Sequence, residues 1–370
     1  MKLTSIHIQG YKSFDATRGQ TIPLGDVTLL MGANGTGKSN VVSFFKLLNF
    51  LTTGALQQYV GRQGVSRLLF YGPSRTETIS FRLQFEGDDA LDTYEACLAY
   101  GLPDRLFLST EKIIYHKNGH EAPLEYVLKS GADESGLGQD QRKTSRVLHN
   151  LLSGIRAFQF HDTSDTAKIK DRGYVDDASY LRSDAGNLAA FLRMLKETPR
   201  FFPYYERIIR HIRHVMPQFG DFSLDPISGN KNYIRLNWTD STGSDYLFDP
   251  YQISDGSLRF MALATLLLQP PELLPRFIVL DEPELGLHPF AISELAGIIR
   301  GTAKNTQVLL ATQSTRLVDE FLPDNIVVVE RNRDTHGSEF RKLDPEQLQE
   351  WLERYSLSEL WEKNVLGGLP

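Results

Sequence analysis

The chain has 370 residues, of which 41% are hydrophobic and 23% charged, and this composition excludes extensive disorder and favours a globular fold. The net charge of -6 argues against a surface that binds nucleic acid throughout. Cys97 is the single cysteine, which excludes an internal disulfide and favours the reducing cytoplasm. The apolar runs are too short to span a bilayer, and the N-terminus lacks the apolar region of a secretory signal, so we expect no membrane association.

The first motif follows two predicted strands, at residues 3–8 and 27–31. Residues 32–39, with the sequence GANGTGKS, match G-x-x-x-x-G-K-[ST] and precede a helix with a wide apolar face. Such a loop aims backbone N–H groups at phosphate oxygens, its lysine offsets phosphate charge, and its serine reaches Mg²⁺. The motif predicts ATP or GTP binding by these residues: Asn34, Gly35, Thr36, Gly37, Lys38, Ser39 and Asn40.

The middle of the chain changes character twice. Alternating segments predict an antiparallel sheet beside the nucleotide site at residues 78–85, 93–100 and 112–117. The polar stretch at 131–144 predicts a mobile loop or the boundary of an insertion. The insertion itself is predicted to hold helices at 145–155, 187–196 and 204–215 and short strands at 236–238 and 246–248. Sustained heptads are absent from the sequence, so we expect no coiled-coil arm.

Two further motifs lie close together near residue 270. Residues 253–259, ISDGSLR, come directly before an apolar helix. Residues 277–283, FIVLDEP, form an apolar strand that ends in two carboxylates. In this position Asp281 is predicted to hold Mg²⁺ and Glu282 to act as the general base for an attacking water. A solvated strand end is the alternative for the acidic pair taken alone.

These motifs together carry a family resemblance. The phosphate loop, the Ser-Asp-Gly-Ser element, the DEPELGLHP segment and residues 307–314, QVLLATQS, resemble the RecF/SMC-like ATPases of the ABC class, which are related to OLD-family and RecF ATPases. Residues 360–368, LWEKNVLGG, resemble the ending of a bacterial subgroup of stand-alone AAA-type ATPases that is often linked to phage defence. The resemblance implies an α/β fold: a two-lobed P-loop NTPase head with a mixed sheet, an antiparallel β subdomain and a helical insertion.

The resemblance also implies roles for particular residues. Ser254, Asp255 and Gly256 match the signature that contacts the γ-phosphate bound to the other subunit, although an ordinary helix cap remains the plain alternative. Gln313 stands where many relatives have histidine. An amide cannot carry a proton but can hold the water or sense the γ-phosphate, so Gln313 joins Lys38 and Glu282 as a catalytic candidate with slow hydrolysis expected.

Some residues allow only weaker assignments. Lys12 and Ser13 match the position that contacts base and sugar in relatives. His288 is expected to be structural or dimer-facing. Residues 161–165 are predicted to form a polar turn, with a set of metal ligands as the less favoured alternative. A solvated helix face is predicted for four basic residues, with phosphate binding as the less favoured alternative: Arg207, Arg210, Arg213 and His214.

The predicted domain organisation is a head over residues 1–330 and a C-terminal tail over 331–370 packed on it. The head divides into an N-terminal lobe at 1–130, an insertion at 131–250 and a lobe with the signature and acidic strand at 251–330. The predicted function is that of an ATPase that uses Mg²⁺ with ATP and acts as a homodimer, either ATP-dependent or constitutive. Closure of the dimer around ATP is expected to control DNA engagement or a partner effector such as a nuclease or toxin, in phage defence or DNA repair. A slow-ATPase scaffold that sequesters its effector, an ABC transporter subunit and a small-molecule kinase are the alternatives.

Overall fold

In a computed structural model, the structure describes residues 1–243 and 245–368. The strands of these residues are, in chain order, β1 (Lys2–Gln9), β2 (Gln20–Pro23), β3 (Val27–Met31), β4 (Thr78–Glu86), β5 (Ala90–Gly101), β6 (Arg105–Lys117), β7 (Leu124–Lys129), β8 (Ile155–Phe158), β9 (Gly173–Tyr174), β10 (Phe219–Ser223), β11 (Pro226–Ile227), β12 (Asn230–Ile234), β13 (Asn237–Asp240), β14 (Phe277–Asp281), β15 (Gln307–Thr312), β16 (Ile326–Arg331) and β17 (Ser338–Lys342). The α-helices are α1 (Lys38–Thr52), α2 (Leu56–Gln63), α3 (Val65–Leu68), α4 (Lys143–Ser153), α5 (Leu188–Glu197), α6 (Phe202–Val215), α7 (Asp255–Leu268), α8 (Pro289–Thr302), α9 (Thr315–Val318), α10 (Pro345–Leu352) and α11 (Leu357–Glu362).

The chain divides into two compact units. Unit 1 consists of Met1–Arg156, Arg276–Val279 and Leu309–Pro370, and unit 2 consists of Ala157–Pro275 and Leu280–Val308. The first stretch of unit 1 therefore continues through the polar segment at 131–144, which we expected to be a mobile loop or a boundary. The lobe limits predicted from the sequence stay a prediction about domain organisation.

The polar segment is built into unit 1 by its own side chains. The Glu134 carboxylate accepts the backbone N–H groups of Leu56 at 2.8 Å and Gln57 at 3.0 Å, where α2 begins. A carboxylate at this end of a helix satisfies unpaired N–H groups and meets the positive end of the helix dipole. Leu137 is fully buried in the same segment. Glu134, one of the polar residues of this segment, therefore caps α2.

Unit 1 contains the predicted antiparallel sheet, with the strand order β2-β1-β4-β5-β6-β7. Each neighbouring pair in this order runs antiparallel. Strand β4 alternates as predicted: Ile79, Phe81, Leu83 and Phe85 are buried, whereas the residues between them face outward. This one-sided alternation is typical of an antiparallel sheet that covers a core with one face.

Another six-stranded sheet carries the phosphate loop, and its strand order is β17-β16-β3-β15-β14-β8. Strand β16 runs parallel to β3 and antiparallel to β17, so the sheet is mixed, as predicted. All of β3 is buried, and the chain passes from β3 through the phosphate loop into α1. Phe45 on the apolar face of α1 stacks on Phe277 with ring centroids 5.1 Å apart. The predicted strand, loop and helix are confirmed.

Unit 2 combines helices α5 to α8 with small sheets of order β10-β13 and β11-β12-β9. Helix α7 is buried along almost its whole length after Leu258. The predicted helices correspond to α4, α5 and α6, of which α4 lies in unit 1. The strand predicted at 246–248 is wrong: Phe248 forms an isolated bridge to Trp238. Phe248 and Trp238 exchange backbone hydrogen bonds of 2.9 and 3.0 Å, and their rings stack with centroids 4.3 Å apart. A single bridge with aromatic packing, rather than an extended strand, therefore fixes this segment.

Within the described residues, no helix has the length and apolar character needed to cross a bilayer.

Candidate nucleotide site

The phosphate loop presents an exposed rim and a buried base. Asn34, Gly35 and Ser39 are exposed, whereas Thr36 and Gly37 are buried. The Lys38 side chain is only 5% exposed and turns back over the loop, where its ammonium donates to Gly32 O at 2.6 Å and to Ala33 O at 2.9 Å. The lysine charge is therefore held at the concave side of the loop backbone, where a phosphate group would meet it.

Gly37 is required by the space around it. Its φ is +116°, and a Cβ atom there would lie 2.0 Å from Ser338 Oγ and 2.7 Å from Ser13 Oγ. Gly37 is also the residue directly before α1 and has no side chain that could cover the first turn of that helix. The start of α1 therefore has no side-chain cap, and the positive end of a helix favours an anion at such a position.

Ser13 supports the loop from beneath. Its Oγ accepts from Asn40 Nδ2 at 2.8 Å and lies 2.7 Å from Ser338 Oγ, which is itself 2.5 Å from Thr36 O. Both serines are buried. The hydroxyl of Ser13 therefore faces the phosphate loop in this structure, and its predicted contact with base or sugar stays a prediction.

Lys12 lies on the side of α1. Its φ is 50°, and its ammonium donates to Ser43 Oγ at 2.6 Å. Burial and the neighbouring charge of Lys46 lower the pKa of Lys12 below its usual value.

Gln313 is exposed directly after β15, and Ser314 next to it caps α9 by accepting the N–H of Leu317 at 3.2 Å. The cap fixes the backbone that carries the Gln313 side chain.

The acidic strand end lies in unit 2, where Asp281 is 6% exposed. Gln159 Nε2 donates to Asp281 Oδ2 at 2.7 Å, and His161 Nε2 lies 2.8 Å from the backbone oxygen of Asp281. Since a carbonyl oxygen only accepts, the histidine carries its proton on Nε2. The segment around His161 therefore orients the strand end, and Asp162 forms the predicted turn by accepting from Ser164 N at 3.1 Å.

Glu282 follows with a left-handed backbone. Its φ is 43°, which is uncommon for a residue other than glycine. Backbone strain of this kind is concentrated at functional sites, and the separate roles predicted for Asp281 and Glu282 stay predictions. Glu282 is half-buried.

The signature residues form the start of α7. Ser254 is the N-cap, and its Oγ accepts from Ser257 N at 3.2 Å. Asp255 is exposed and pairs at 3.3 Å with the ammonium of Lys170, a side chain that is 7% exposed. A Cβ atom at Gly256 would lie 2.3 Å from Gly286 O, so the helix start rests directly on the segment after Glu282. The plain cap reading of Ser254 is thus confirmed, whereas its contact with a second subunit stays a prediction.

Arg259 of the same helix links the parts of this half-site. Its guanidinium donates to the backbone oxygens of Phe160 at 3.1 Å, Leu285 at 2.8 Å and His161 at 2.8 Å. A planar group with five N–H donors suits such a junction. His288 behaves as expected for a structural residue, since its Nδ1 accepts the N–H of Phe290 at 3.3 Å and caps α8.

The residues present have the chemistry that magnesium triphosphate requires. The phosphate loop has the Ser39 hydroxyl, and the acidic strand end has the Asp281 carboxylate. Oxygen ligands of this type are those that Mg²⁺ takes in phosphate-binding proteins. The assignment of Ser39 and Asp281 to one metal stays a prediction.

The contacts that Gln159, His161 and Arg259 make around the acidic strand end were not predicted from the sequence. Gln159 was not singled out at all, whereas residues 161–165 and 253–259 were noted without these contacts, which depend on the fold. A glutamine directly after a short strand was the available signal, and it is a weak one.

Several known proteins are similar to this chain. The chain is 30% identical over 249 residues to an energy-coupling factor transporter ATP-binding protein, EcfA2, of Lactobacillus delbrueckii subsp. bulgaricus, a match that covers 64% of this chain and 80% of that protein.

Solved structures give the fold. An Smc head domain with an extended coiled coil, bound to the C-terminal domain of ScpA and derived from Pyrococcus furiosus, superposes with a TM-score of 0.56 at 16% identity over 95% of this chain and 98% of that one. An SMC head domain from Thermotoga maritima gives a TM-score of 0.50 at 15% identity, over 93% and 100% of the two chains. The predicted ABC/SMC-type head fold is therefore confirmed.

Residues 27–319 match the family described as "AAA domain, putative AbiEii toxin, Type IV TA system", and they include the phosphate loop, the signature and the acidic strand end. Because this match takes in most of the chain, the protein belongs to that family, and its fold is that of the P-loop ATPases of ABC and SMC type.

Proposed function

We propose that this protein binds and hydrolyses ATP with Mg²⁺, and that two copies close around the nucleotide as a homodimer. The observation that carries the dimer is the exposed start of α7, where Ser254 and Asp255 face solvent although the rest of the helix is buried. The Lys170 ammonium beside Asp255 offsets the carboxylate, so a helix start with a positive dipole end remains able to receive an anion. The γ-phosphate held by a second copy is the anion we assign to it.

The roles of the residues follow from their chemistry. The phosphate loop and Lys38 hold the triphosphate, and Ser39 and Asp281 are the magnesium ligands. Bound Mg²⁺ neutralises charge on the phosphate oxygens. Gln159 holds the Asp281 carboxylate in one orientation through its 2.7 Å hydrogen bond. Glu282 accepts the proton of the attacking water, and the Gln313 amide helps to place that water. Because Gln313 cannot accept the proton, Glu282 alone carries the base function and we expect slow turnover.

We further propose that closing and opening of the dimer control DNA engagement or a partner effector in the cytoplasm. The process served would be phage defence or DNA repair. The family description names a putative toxin of a type IV toxin–antitoxin system, which supports an effector of the toxin or nuclease class. The SMC heads with the same fold are described as bound to ScpA domains, which supports control of a protein partner. A slow-ATPase scaffold that sequesters the effector is the alternative.

The decisive variant is Glu282→Gln, which keeps the size of the side chain and removes its basicity. We expect hydrolysis to fall about 100-fold or more while ATP binding persists, so that an ATP-bound dimer accumulates. Light scattering after size-exclusion chromatography, with and without Mg²⁺-ATP, measures the mass, and phosphate release measures turnover. Glu206→Gln, an exposed position on α6, is the matched control and should behave as the parent.

Two outcomes would contradict the proposal. One is a Lys38→Ala protein that binds and turns over ATP like the parent. The other is a nucleotide-trapped Glu282→Gln complex that stays monomeric. If Glu282→Gln retained full function in cells, the scaffold would replace the ATP-driven machine.

A transporter role is less favoured, although the EcfA2 relative is described as a transporter ATP-binding protein. The Ser-Asp-Gly-Ser element departs from the transporter signature. Stimulation of ATP turnover by a reconstituted membrane partner would revive that alternative.

A further inference from the structure

The last part of the described chain lies against the phosphate loop. We call residues 356–368 the C-terminal strap. It begins with Ser356, which caps α11 together with Glu359, and its side chains Leu360, Trp361 and Leu366 are buried in unit 1. The LWEKNVLGG segment noted in the sequence therefore contributes side chains to the core of this unit.

One end of the strap contacts the residue after α9, which we call the switch helix because it comes directly after Gln313 and Ser314. Ser358 donates from its backbone N–H to Asp319 Oδ1 at 2.8 Å and from its hydroxyl to Asp319 Oδ2 at 2.6 Å. Asp319 directly follows α9, the short helix that Ser314 caps immediately after Gln313. The strap thus fixes the helix next to the predicted γ-phosphate sensor.

The other end holds the phosphate loop. Gly368 O accepts the N–H of Ala33 at 3.0 Å. The carbonyl of the same residue, Ala33, accepts from Lys38 Nζ and from Thr36 Oγ1, each at 2.9 Å. A triphosphate in the loop would compete for the Lys38 ammonium. The bond from Gly368 would then remain to hold Ala33 in place.

Two glycines allow this approach. Gly367 has a φ of +76°, and a Cβ atom there would lie 2.2 Å from Glu330 Oε1. Gly368 has a φ of +86°, its Cβ would lie 3.0 Å from Val328 Cγ1, and its N–H donates to Glu330 Oε1 at 2.5 Å. A side chain at Gly367 would strain the backbone and displace the Glu330 carboxylate, which accepts the N–H of Gly368. It would thereby loosen the residue whose oxygen accepts from Ala33.

We propose that the C-terminal strap is a positioning element of the nucleotide site, with Gly367 and Gly368 as positioning residues that set the phosphate loop for ATP and connect it to the switch helix α9. This inference rests on the proposed ATP binding. Because the strap acts on the loop and not on Glu282, its loss should weaken nucleotide binding much more than it slows the chemical step.

The test compares Gly367→Ala with Gly119→Ala in the full chain. Gly119 has a φ of +81° and open space where a Cβ would be placed, so the control carries the same backbone strain without the steric contact. We expect Gly367→Ala to raise the Kd for Mg²⁺-ATP and the KM about tenfold with kcat changed less than twofold, and Gly119→Ala to match the parent. Hydrogen exchange of the peptide covering residues 27–40, measured without nucleotide, should be faster in Gly367→Ala than in Gly119→Ala.

A second readout follows ATP itself. In the parent, Mg²⁺-ATP should slow amide exchange in residues 357–368, and Lys38→Ala should abolish that change. The inference is overturned if Gly367→Ala binds ATP with the parental Kd, or if exchange at 27–40 is the same in both glycine variants. If the parent itself fails to bind ATP, the proposed function fails, and the nucleotide-free exchange still decides whether the strap holds the loop.

Discussion

Asp281 is oriented through both its side chain and its backbone. The Gln159 amide fixes one carboxylate oxygen, and the His161 ring binds the backbone carbonyl. A carboxylate that accepts a directed hydrogen bond keeps its remaining lone pairs in a defined direction, as a metal ligand requires. Gln159 and His161 together therefore set the orientation of Asp281.

Replacement of Gln159 by alanine should therefore weaken the response to magnesium. Partners of this kind typically contribute about 10- to 100-fold in metal affinity or activity, so we expect the Mg²⁺ concentration for half-maximal ATPase activity to rise about tenfold. Titration of turnover with Mg²⁺ at saturating ATP measures the shift. Gln218→Ala, at an exposed glutamine of the same unit, should leave the titration unchanged, and an unchanged titration for Gln159→Ala would refute the assigned role.

At the scale of single elements, β5 contains a buried charge. Asp92 is 3% exposed, and its Oδ1 lacks a hydrogen-bond partner among the described residues. Burial raises the pKa of this carboxyl to about 6. Because the pKa in the folded protein exceeds that of the unfolded chain, the folded state binds the proton more tightly. Its stabilising contribution is complete below the unfolded pKa and is lost as the pH rises through about 6.

Asp92→Asn removes this titration and should change the stability of the sheet with pH. The pKa shift corresponds to about 2 to 3 kcal/mol, so the variant should gain that much relative to the parent between pH 4 and pH 7.5. Urea unfolding of both proteins at the two pH values gives the difference. Glu121→Gln in the exposed β6–β7 connection should show no such gain, and a pH-independent difference for Asp92→Asn would disprove the buried charge.

The elements with a clear period were predictable, because burial imposes that period on the sequence. Alternation located β4, and spacing of three and four residues located α1, α5 and α6. The segment at 246–248 has aromatic residues of high strand propensity, but it forms only one bridge, which ring stacking reinforces. The role of Glu134 could not be predicted, since an acidic residue in a polar stretch can also cap a distant helix.

For the molecule as a whole, short contiguous motifs were easier to predict from the sequence than the division of the chain into two units. The phosphate loop, signature and acidic strand each carry their chemistry within a few residues and could be found without a structure. The division into units could not, because the unit boundaries fall inside β8, β14 and β15, where the residues remain apolar and regular. A sequence has no local signal for a boundary within a continuous strand.

Nucleotide binding should stabilise the whole protein by mass action. At an ATP concentration of about 100 times the Kd, a ligand that binds only the folded state adds about 2.7 kcal/mol. We expect Mg²⁺-ATP to raise the melting temperature of the parent and of Lys304→Ala, which replaces an exposed lysine, but not that of Lys38→Ala. Differential scanning fluorimetry measures the shift. An equal shift in Lys38→Ala would place the nucleotide elsewhere.

The left-handed backbone at Glu282 has an evolutionary consequence. A non-glycine residue in that conformation costs about 1 kcal/mol or more, so the fold and the base function proposed for Glu282 favour different amino acids at this one position. In descendants that kept the fold but no longer needed turnover, position 282 should be among the first to drift to glycine or asparagine. Its identity across such lineages would record where catalysis was abandoned.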